Sequence, residues 1–246
     1  MRYFITFSYD GSKYSGYQKQ PKGRTIQGEL EKVLKKINSN KPVNVSASGR
    51  TDAGVHALNQ RAHFDLDNEF EELRLKTSLN GLLPKDIYVK NVEKVSDDFH
   101  ARFNVRAKEY IYKINMGEYN PIELDYVYQY NNKLNVAEIE RALKYLEGTH
   151  NFKSFTKADD EKEDYNRTII KTNVIRSTKD INKITISILG TGFMRYMVRN
   201  IVGLLIEIGE GKRKSEDIFE IIEAEDRTKA GKTAPAAGLY LKDVYY

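Results

Sequence analysis

The residues best suited to chemistry lie in a short stretch bounded by glycines. In SASGRTDAGVHA, residues 46–57, Arg50 and Asp52 lie between Gly49 and Gly54. Glycines on both sides allow a tight backbone and the close approach of a ligand. Because Asp-x-Gly is also ordinary turn chemistry, the pattern alone leaves a purely structural role open.

Two further groups could converge on this turn. One is the stretch Lys108-Glu109-Tyr110-Ile111-Tyr112 in the first strand of the second half, and the other is the pair Arg195 and Arg199 in the apolar stretch FMRYMVRNIVGLL. The two arginines are four residues apart, so we expect them to share one face of a helix. A guanidinium on so apolar a helix needs an anionic partner, because an unpaired buried charge is costly. That partner is either a buried or substrate carboxylate or phosphate, or an acidic side chain that forms a structural ion pair at the helix end.

Other kinds of site are disfavoured by what the sequence lacks. The four histidines (His56, His63, His100 and His150) are scattered, and there is no H-E-x-x-H motif. Cysteine is absent, which excludes disulfides, zinc–thiolate sites and cysteine nucleophiles. The glycine pair Gly11-x4-Gly16 lacks the lysine of a phosphate-binding loop. We therefore expect no metal, nucleotide or dinucleotide cofactor.

The charge distribution indicates a polyanionic partner. The 246 residues carry a net charge of +5, and the first 60 contain ten Lys and Arg against four Asp and Glu. Such an excess on one segment is typical of a face that binds phosphates. The candidates for these contacts are Lys13, Lys19, Lys22 and Arg24. The charged run DDEKED at 159–164 is interpreted as a solvated loop.

Neither end of the chain predicts export or membrane insertion. No run of 18 or more apolar residues occurs, so no transmembrane helix is expected. The N-terminal residues alternate in polarity and do not form the apolar block of a signal peptide. The expected compartment is the cytoplasm.

Hydrophobic periodicity predicts the elements that must position these residues. In the first half we predict strands at 2–9, 43–48, 60–66 and 86–95, with helices at 26–37, capped by Thr25, and at 71–83. In the second half we predict strands at 103–116, 126–130, 167–178, 182–190 and 236–246, with helices at 135–147, 193–209 and about 215–225. The first half therefore has a β-α-β-β-α-β order. The second half repeats it, apart from a short strand at 126–130 in an insertion and one extra helix at about 215–225.

This order predicts an α+β fold with two similar halves, residues 1–102 and 103–246. Each half is a βαββαβ unit in which helices cover one face of an antiparallel sheet. We expect the two sheets to join into one large, mainly antiparallel sheet. A cleft at the junction is the natural place for an active site.

The chain resembles the bacterial tRNA pseudouridine synthase A family almost from end to end. The segments that carry the resemblance are YDGSKYSGYQ (9–18), TIQGELEKVL (25–34), GRTDAGVHALNQ (49–60), LNGLLPKDI (79–87), FHARFNVRAKEYIYKI (99–114), FMRYMVRNIVGLLIEIG (193–209) and DRTKAGKTAPAAGLYLKDVYY (226–246). Two departures occur: Tyr17 stands where the family has the tryptophan of GWQ, and Asn151 where it has the aspartate of HDF.

The resemblance implies an activity and a role for each site residue. The family isomerises uridine to pseudouridine at positions 38, 39 and 40 of the tRNA anticodon stem-loop, without a metal or cofactor. By this resemblance Asp52 is the catalytic carboxylate, which either attacks the ribose or removes a ribose proton. Tyr110 contacts the substrate base, Arg199 is the active-site arginine, and Arg50 helps to flip the target base out. Leu239 is an apolar wall of the site or a plain core leucine.

The resemblance also implies a homodimer with tRNA spanning both subunits.

Two alternatives from other classes are an RNA-binding module whose sheet stacks bases without chemistry, and an enzyme that uses Arg50 and Arg199 to clamp a phosphorylated small molecule. The first does not explain an aspartate between glycines, and the second predicts ligand binding that is insensitive to salt.

Overall fold

The structure is a computed structural model that describes residues 1–157 and 164–246. Apart from Asp164, the charged run predicted as a solvated loop lies outside the described residues. The strands are β1 (Arg2–Tyr9), β2 (Ser46–Ala47), β3 (His56–Asp65), β4 (Ile87–Val95), β5 (Ala107–Asn115), β6 (Tyr128–Gln129), β7 (Gly148–Asn151), β8 (Asn166–Arg176), β9 (Lys183–Gly190) and β10 (Leu239–Tyr245). The α-helices are α1 (Ile26–Ile37), α2 (Glu72–Leu82), α3 (Val136–Tyr145), α4 (Met197–Gly209) and α5 (Asp217–Ala224).

The chain divides into two compact units. The first comprises Met1–Arg106 together with Tyr240–Tyr246, and the second comprises Ala107–Leu239. The C-terminal strand therefore belongs to the first unit from Tyr240 onward.

In the first unit, β1 lies between β4 and β3 and pairs antiparallel with both. Its alternating side chains Tyr3, Ile5 and Phe7 are fully buried, as the period-two pattern predicts. The edge of β3 that faces away from β1 pairs with two strands, at different positions along its length. Strand β2 pairs antiparallel with the end of β3, and β10 pairs parallel with its start.

Two helices close the core of the first unit. Thr25 caps α1 by accepting a hydrogen bond from the Gly28 amide, as its type and position predict. Helix α1 buries Leu30 and Leu34, and α2 packs on β4 and against α1. The carboxylate of Glu71 caps α2 by accepting from two backbone amides of its first turn.

In the second unit the strand order is β5-β9-β8-β7, all antiparallel, and β6 adds a short parallel pairing to β5. The core-facing side of these strands buries Tyr112, Ile186 and Ile188. Helix α3, capped by Asn135 as predicted, packs against α4, α5 and β8. Nearly every residue of α4 is buried, which explains why its sequence is apolar on all sides.

The predicted α+β class and the β-α-β-β-α-β order of the first half are confirmed. The strand predicted at 43–48 shrinks to Ser46–Ala47, because Gln27 and Glu31 of α1 bind the backbone of Val45 in place of a strand partner. Strand β3 begins at His56, earlier than predicted, since β10 pairs with its first residues. Strand β7 was not predicted. No helix among the described residues is both long and apolar enough to cross a membrane.

The division at residue 102 and the cleft between the halves stay predictions.

Candidate active site

Arg50 and Asp52 lie, as predicted, on the turn between β2 and β3. Arg50 is exposed and Asp52 is half-buried. The Val55 amide donates to the Asp52 carbonyl at 3.2 Å, and Gly54 has a φ of +77°, a conformation that favours glycine. The carboxylate therefore sits on a compact, hydrogen-bonded turn.

The loop after β1 packs directly on this turn. The Tyr17 amide donates to the Thr51 carbonyl at 3.0 Å, and the Gly54 amide donates to the Tyr14 carbonyl at 3.3 Å. A Cβ atom at Gly11 would lie 2.0 Å from the Val55 carbonyl oxygen. Glycine at position 11 therefore allows two backbones to approach more closely than any side chain permits.

A buried polar network supports the turn from beneath. The Tyr9 and Thr51 hydroxyls lie 2.8 Å apart, and the Gln60 side-chain amide donates to the Gly49 carbonyl at 3.1 Å and to the Tyr9 hydroxyl at 3.4 Å. The Ser48 hydroxyl donates to the Gln60 amide oxygen at 2.7 Å. Burial raises the pKa of Tyr9 to about 12, so its hydroxyl stays protonated and can donate at neutral pH.

Sequence reasoning did not identify this network. The one feature of the sequence that pointed to it is Gln60, a polar residue in a predicted strand. The structure shows that Gln60 is fully buried. Buried polar side chains are normally hydrogen-bonded, so such a residue points to partners elsewhere in the fold.

His56 links the same turn to the start of the loop and to the last strand. Its Nδ1 accepts from the Gly11 amide at 3.1 Å and lies 3.3 Å from the Asp10 carboxylate. Its ring stacks on Tyr240, with centroids 4.6 Å apart. The histidines are scattered in the sequence, as described above, but His56 has a structural role: it joins the turn, the loop after β1 and β10.

Arg24, a candidate for phosphate contacts because of its charge, forms ion pairs with two acidic residues of the first unit. Its guanidinium binds Asp86 at 2.7 Å and Glu29 at 2.8 Å, and lies 4.4 Å from the centroid of the Tyr14 ring. This cluster fastens the loop after β1 to the start of β4. Lys19 is likewise paired, with Glu31 at 2.9 Å.

In the second unit, Tyr110 lies on β5 opposite Ile188 of β9. The residue is 9% exposed, and its ring meets the edge of Phe193 with centroids 5.0 Å apart. Phe193 lies outside the helix in which it was predicted, in the segment between β9 and α4.

The prediction that Arg195 and Arg199 share a helix face is wrong. Helix α4 begins at Met197, and Tyr196 before it has a left-handed φ of +64°, which interrupts the helical geometry. Only Arg199 is helical. Both guanidinium groups lie beside the Tyr196 ring, at 5.2 Å and 5.1 Å from its centroid.

Arg199 is oriented by the segment that precedes β10, residues 227–238. Its Nε donates to the Ala234 carbonyl at 2.7 Å, and the Ala234 amide donates to the Arg199 carbonyl at 3.0 Å. A backbone carbonyl is thus one specific partner of Arg199. The anionic partner stays a prediction. Burial raises the pKa of Tyr112, and the positive charge of Arg199 opposes that rise.

Asn200 holds the same segment against α4. Its side-chain oxygen accepts from Arg227 at 2.9 Å and from the Thr233 hydroxyl at 2.7 Å, while its amide donates to the Phe155 carbonyl at 2.7 Å. Asn200 is fully buried. Leu239, at the end of this segment, is 5% exposed, a burial that both interpretations of this residue predict.

The structure thus places Arg50 and Asp52 on one turn of the first unit, and Tyr110, Arg199 and Leu239 in the second. A carboxylate on a rigid turn suits nucleophilic or base chemistry, whereas an aromatic ring and a guanidinium suit a planar base and an anionic group. Within residues 1–157 and 164–246, no cluster of three or more His, Asp or Glu side chains is placed to hold a metal ion.

Comparisons with known proteins cover almost the whole chain. A family model described as tRNA pseudouridine synthase matches residues 5–104 and 142–246. A Geobacillus protein named tRNA pseudouridine synthase A is 45% identical over 98% of this chain and 96% of its own length. The proteins of the same name from Latilactobacillus sakei and Anoxybacillus flavithermus are 42% and 44% identical, over 100% and 98% of this chain and 98% and 97% of their own lengths.

Proposed function

Because the chain belongs to the tRNA pseudouridine synthase family, we propose that it isomerises uridine to pseudouridine at positions 38, 39 and 40 of the tRNA anticodon stem-loop. The observation that carries this proposal for the individual residues is the turn at 48–55, where a half-buried aspartate is held by glycines and a buried hydrogen-bond network. The proposed place of action is the cytoplasm, where the tRNA substrate is found.

The reaction requires one carboxylate and no external reagent. The glycosidic bond between N1 and C1′ breaks, the uracil rotates, and C5 bonds to C1′; the proton on C5 is lost to solvent and N1 gains one. We propose Asp52 as the group that starts this sequence. Its ionised carboxylate either attacks C1′ or removes a ribose proton, and either route lets the base leave and rejoin.

The target uridine must leave its stacked position to reach a carboxylate on a protein turn. Arg50 is exposed two residues before Asp52, which supports a role in occupying the space that the base vacates. In the second unit, the ring of Tyr110 is proposed to contact the uracil, and Arg199 to bind an anionic group at the site. Leu239 is proposed as an apolar wall.

Release of tritium from C5 tests the proposed reaction directly. Wild-type protein is incubated with unmodified tRNA that carries tritium at uridine C5, without any cofactor. We expect release into water with the wild type and a loss of at least about 1,000-fold with Asp52→Asn, because an amide is neither a nucleophile nor a base. Binding of tRNA should persist in the variant.

Asp67→Asn is the matched control, since it makes the same change at an exposed ion pair with Lys41. It should release tritium like the wild type. Undiminished release by Asp52→Asn would refute the role of Asp52. Salt-dependent tRNA binding by the wild type without any release would favour the module that binds RNA without chemistry.

We further propose that the protein is a homodimer, and an exposed apolar set in the second unit supports this. Ile122 and Ile181 are 85% and 76% exposed, and Tyr119 and Leu124 are about half exposed. The segments that carry them are joined by a hydrogen bond from the Met116 amide to the Asn182 carbonyl and by the Lys183–Glu123 ion pair. Contiguous exposed apolar surface commonly marks an interface.

Sedimentation velocity tests the proposed dimer. The wild type should have the mass of two chains and the Ile122→Asp variant the mass of one. A monomeric wild type would refute the dimer.

A further inference from the structure

An exposed phenylalanine stands at the outer end of a stack of three rings in the first unit. Phe103 is 76% exposed, and its ring lies on that of His100 with centroids 4.2 Å apart and planes at 27°. His100 in turn meets the edge of His63, with centroids 4.6 Å apart. His63 is buried in β3. The stack thus runs from the core of the sheet to an aromatic face open to solvent.

Hydrogen bonds hold the chain around this stack in one conformation. The Ala101 amide donates to Nδ1 of His63, and the Arg102 amide donates to Nδ1 of His100, both at 3.1 Å. The Asn104 side-chain oxygen accepts from the His100 amide at 2.7 Å, and the Asn104 amide donates back to the His100 carbonyl. Because these bonds order the backbone on either side of Phe103 and its ring already lies on His100, a ligand that stacks on it loses less free energy to the ordering of the protein.

The charges beside the exposed ring select a class of ligand. Arg102 precedes Phe103 and Arg106 follows it closely, and both are exposed. An exposed ring with two exposed arginines close to it in the chain fits a nucleobase whose neighbouring phosphates the arginines bind. Such a face differs from the broad apolar set expected at a protein interface, because it offers one ring.

Phe219 provides an internal comparison. It is also exposed, at 46%, and its ring packs on Tyr145 with centroids 4.8 Å apart. Its neighbours on α5, Asp217, Glu220 and Glu223, are acidic and would repel a phosphate backbone. Phe103 therefore has basic neighbours in the chain, whereas Phe219 has acidic ones.

We propose that the exposed face of Phe103 stacks on an unpaired base of the bound tRNA while Arg102 and Arg106 bind adjacent phosphates. This base is distinct from the isomerised uridine, because Phe103 offers a single open face and cannot enclose a base for chemistry. The inference rests on the proposed function only in taking tRNA as the partner. It assigns a second contact that helps to hold the RNA while the target base is flipped.

The absence of tryptophan from the chain allows a direct test. Phe103→Trp introduces a single tryptophan that preserves a large flat ring at the stacking position. Titration with an unmodified tRNA transcript should quench its emission in a saturable way, since a stacked base contacts the indole. Phe219→Trp is the matched control, and its emission should change little over the same titration.

Removal of the ring gives the energetic test. Phe103→Ala should weaken the binding of the same transcript by about 5- to 150-fold, the range that loss of one stacked base produces. Phe219→Ala should bind like the wild type. Arg102→Gln should lower the slope of log affinity against log salt concentration by about one, as expected for the loss of one phosphate contact.

The outcomes separate this inference from the proposed function. If the wild type releases tritium from C5 but Phe103→Ala binds the transcript with unchanged affinity, the stacking contact is refuted and the proposed reaction stands. If the emission of Phe103→Trp changes with protein concentration and not with tRNA, the ring contacts a second copy of the chain, and the proposal is also overturned.

Discussion

At the residue scale, two buried tyrosines beside the Asp52 turn differ in how their hydroxyls are satisfied. Tyr9 is paired with Thr51 and Gln60. Tyr17 is 3% exposed, and no group in the described part of the chain bonds to its hydroxyl. Burial accordingly raises the pKa of Tyr17 well above its usual value. One hydroxyl supports the turn, and the other is an uncompensated cost.

This contrast predicts opposite effects of the same substitution. Tyr9→Phe leaves Thr51 and Gln60 short of a partner and should lower the free energy of unfolding by about 1–3 kcal/mol. Tyr17→Phe removes an unpaired buried hydroxyl and should leave stability equal or raise it by about 1 kcal/mol. Urea unfolding of both variants measures the difference. A Tyr17→Phe protein less stable than Tyr9→Phe would contradict the assignment of partners.

At the element scale, α4 and the segment before β10 form one assembly that orients Arg199. The helix begins after the left-handed Tyr196, and Asn200 and Arg199 both bind the segment through its backbone or side chains. Gly203 permits the closest approach, because a Cβ atom there would lie 1.7 Å from the Lys232 carbonyl oxygen. The position of the proposed site arginine thus depends on contact between a helix and an irregular segment.

Two glycine-to-alanine substitutions in helices test this dependence. Gly203→Ala should destabilise the protein by at least about 1–3 kcal/mol, since the new methyl group displaces the segment. It should also reduce tritium release, because the Ala234 carbonyl that orients Arg199 moves with that segment. Gly81→Ala in α2 meets no atom within 4 Å and should stabilise by about 0.5–1 kcal/mol through higher helix propensity.

Thermal unfolding and C5 tritium release of both variants provide the measurement. Equal stability of the two would show that the segment does not depend on glycine at position 203.

At the scale of the whole molecule, global stability is coupled to pH through a buried histidine. Burial, and then the charges of His100 and Arg2, lower the pKa of His63 to about 4. An unfolded histidine titrates near 6.5. Between these values the unfolded chain binds more protons than the folded one, so stability falls as the pH falls from about 6.5 to 4 and is fully present above 6.5.

The prediction is therefore a loss of stability on acidification that depends on His63. The urea midpoint of the wild type should fall between pH 7.5 and pH 5, before most carboxylates titrate. In His63→Gln, which cannot titrate, the fall over the same interval should be clearly smaller, although the variant is less stable at pH 7.5 because the Ala101 amide changes its acceptor. Equal falls in both proteins would rule out His63 as the group responsible.

Local patterns in the amino-acid sequence were sufficient to predict the features that depend on neighbouring residues. Alternating and helical periodicity indicated the α+β class, the element order of the first half and the caps Thr25 and Asn135. The glycines around Arg50 and Asp52 indicated their turn, because a glycine acts through its own backbone. The roles of Asp52, Arg50, Tyr110, Arg199 and Leu239 stay predictions that the experiments above address.

Contacts between residues far apart in the chain became apparent from the folded protein alone. Tyr9 and Thr51 are 42 positions apart, and β10 pairs with the start of β3 across more than 180 residues. The folded protein also shows that Arg24 is bound by Asp86 and that Phe103 faces solvent on a fixed stack. Burial and hydrogen bonding depend on where a residue lies in space, and short-range patterns do not specify that position.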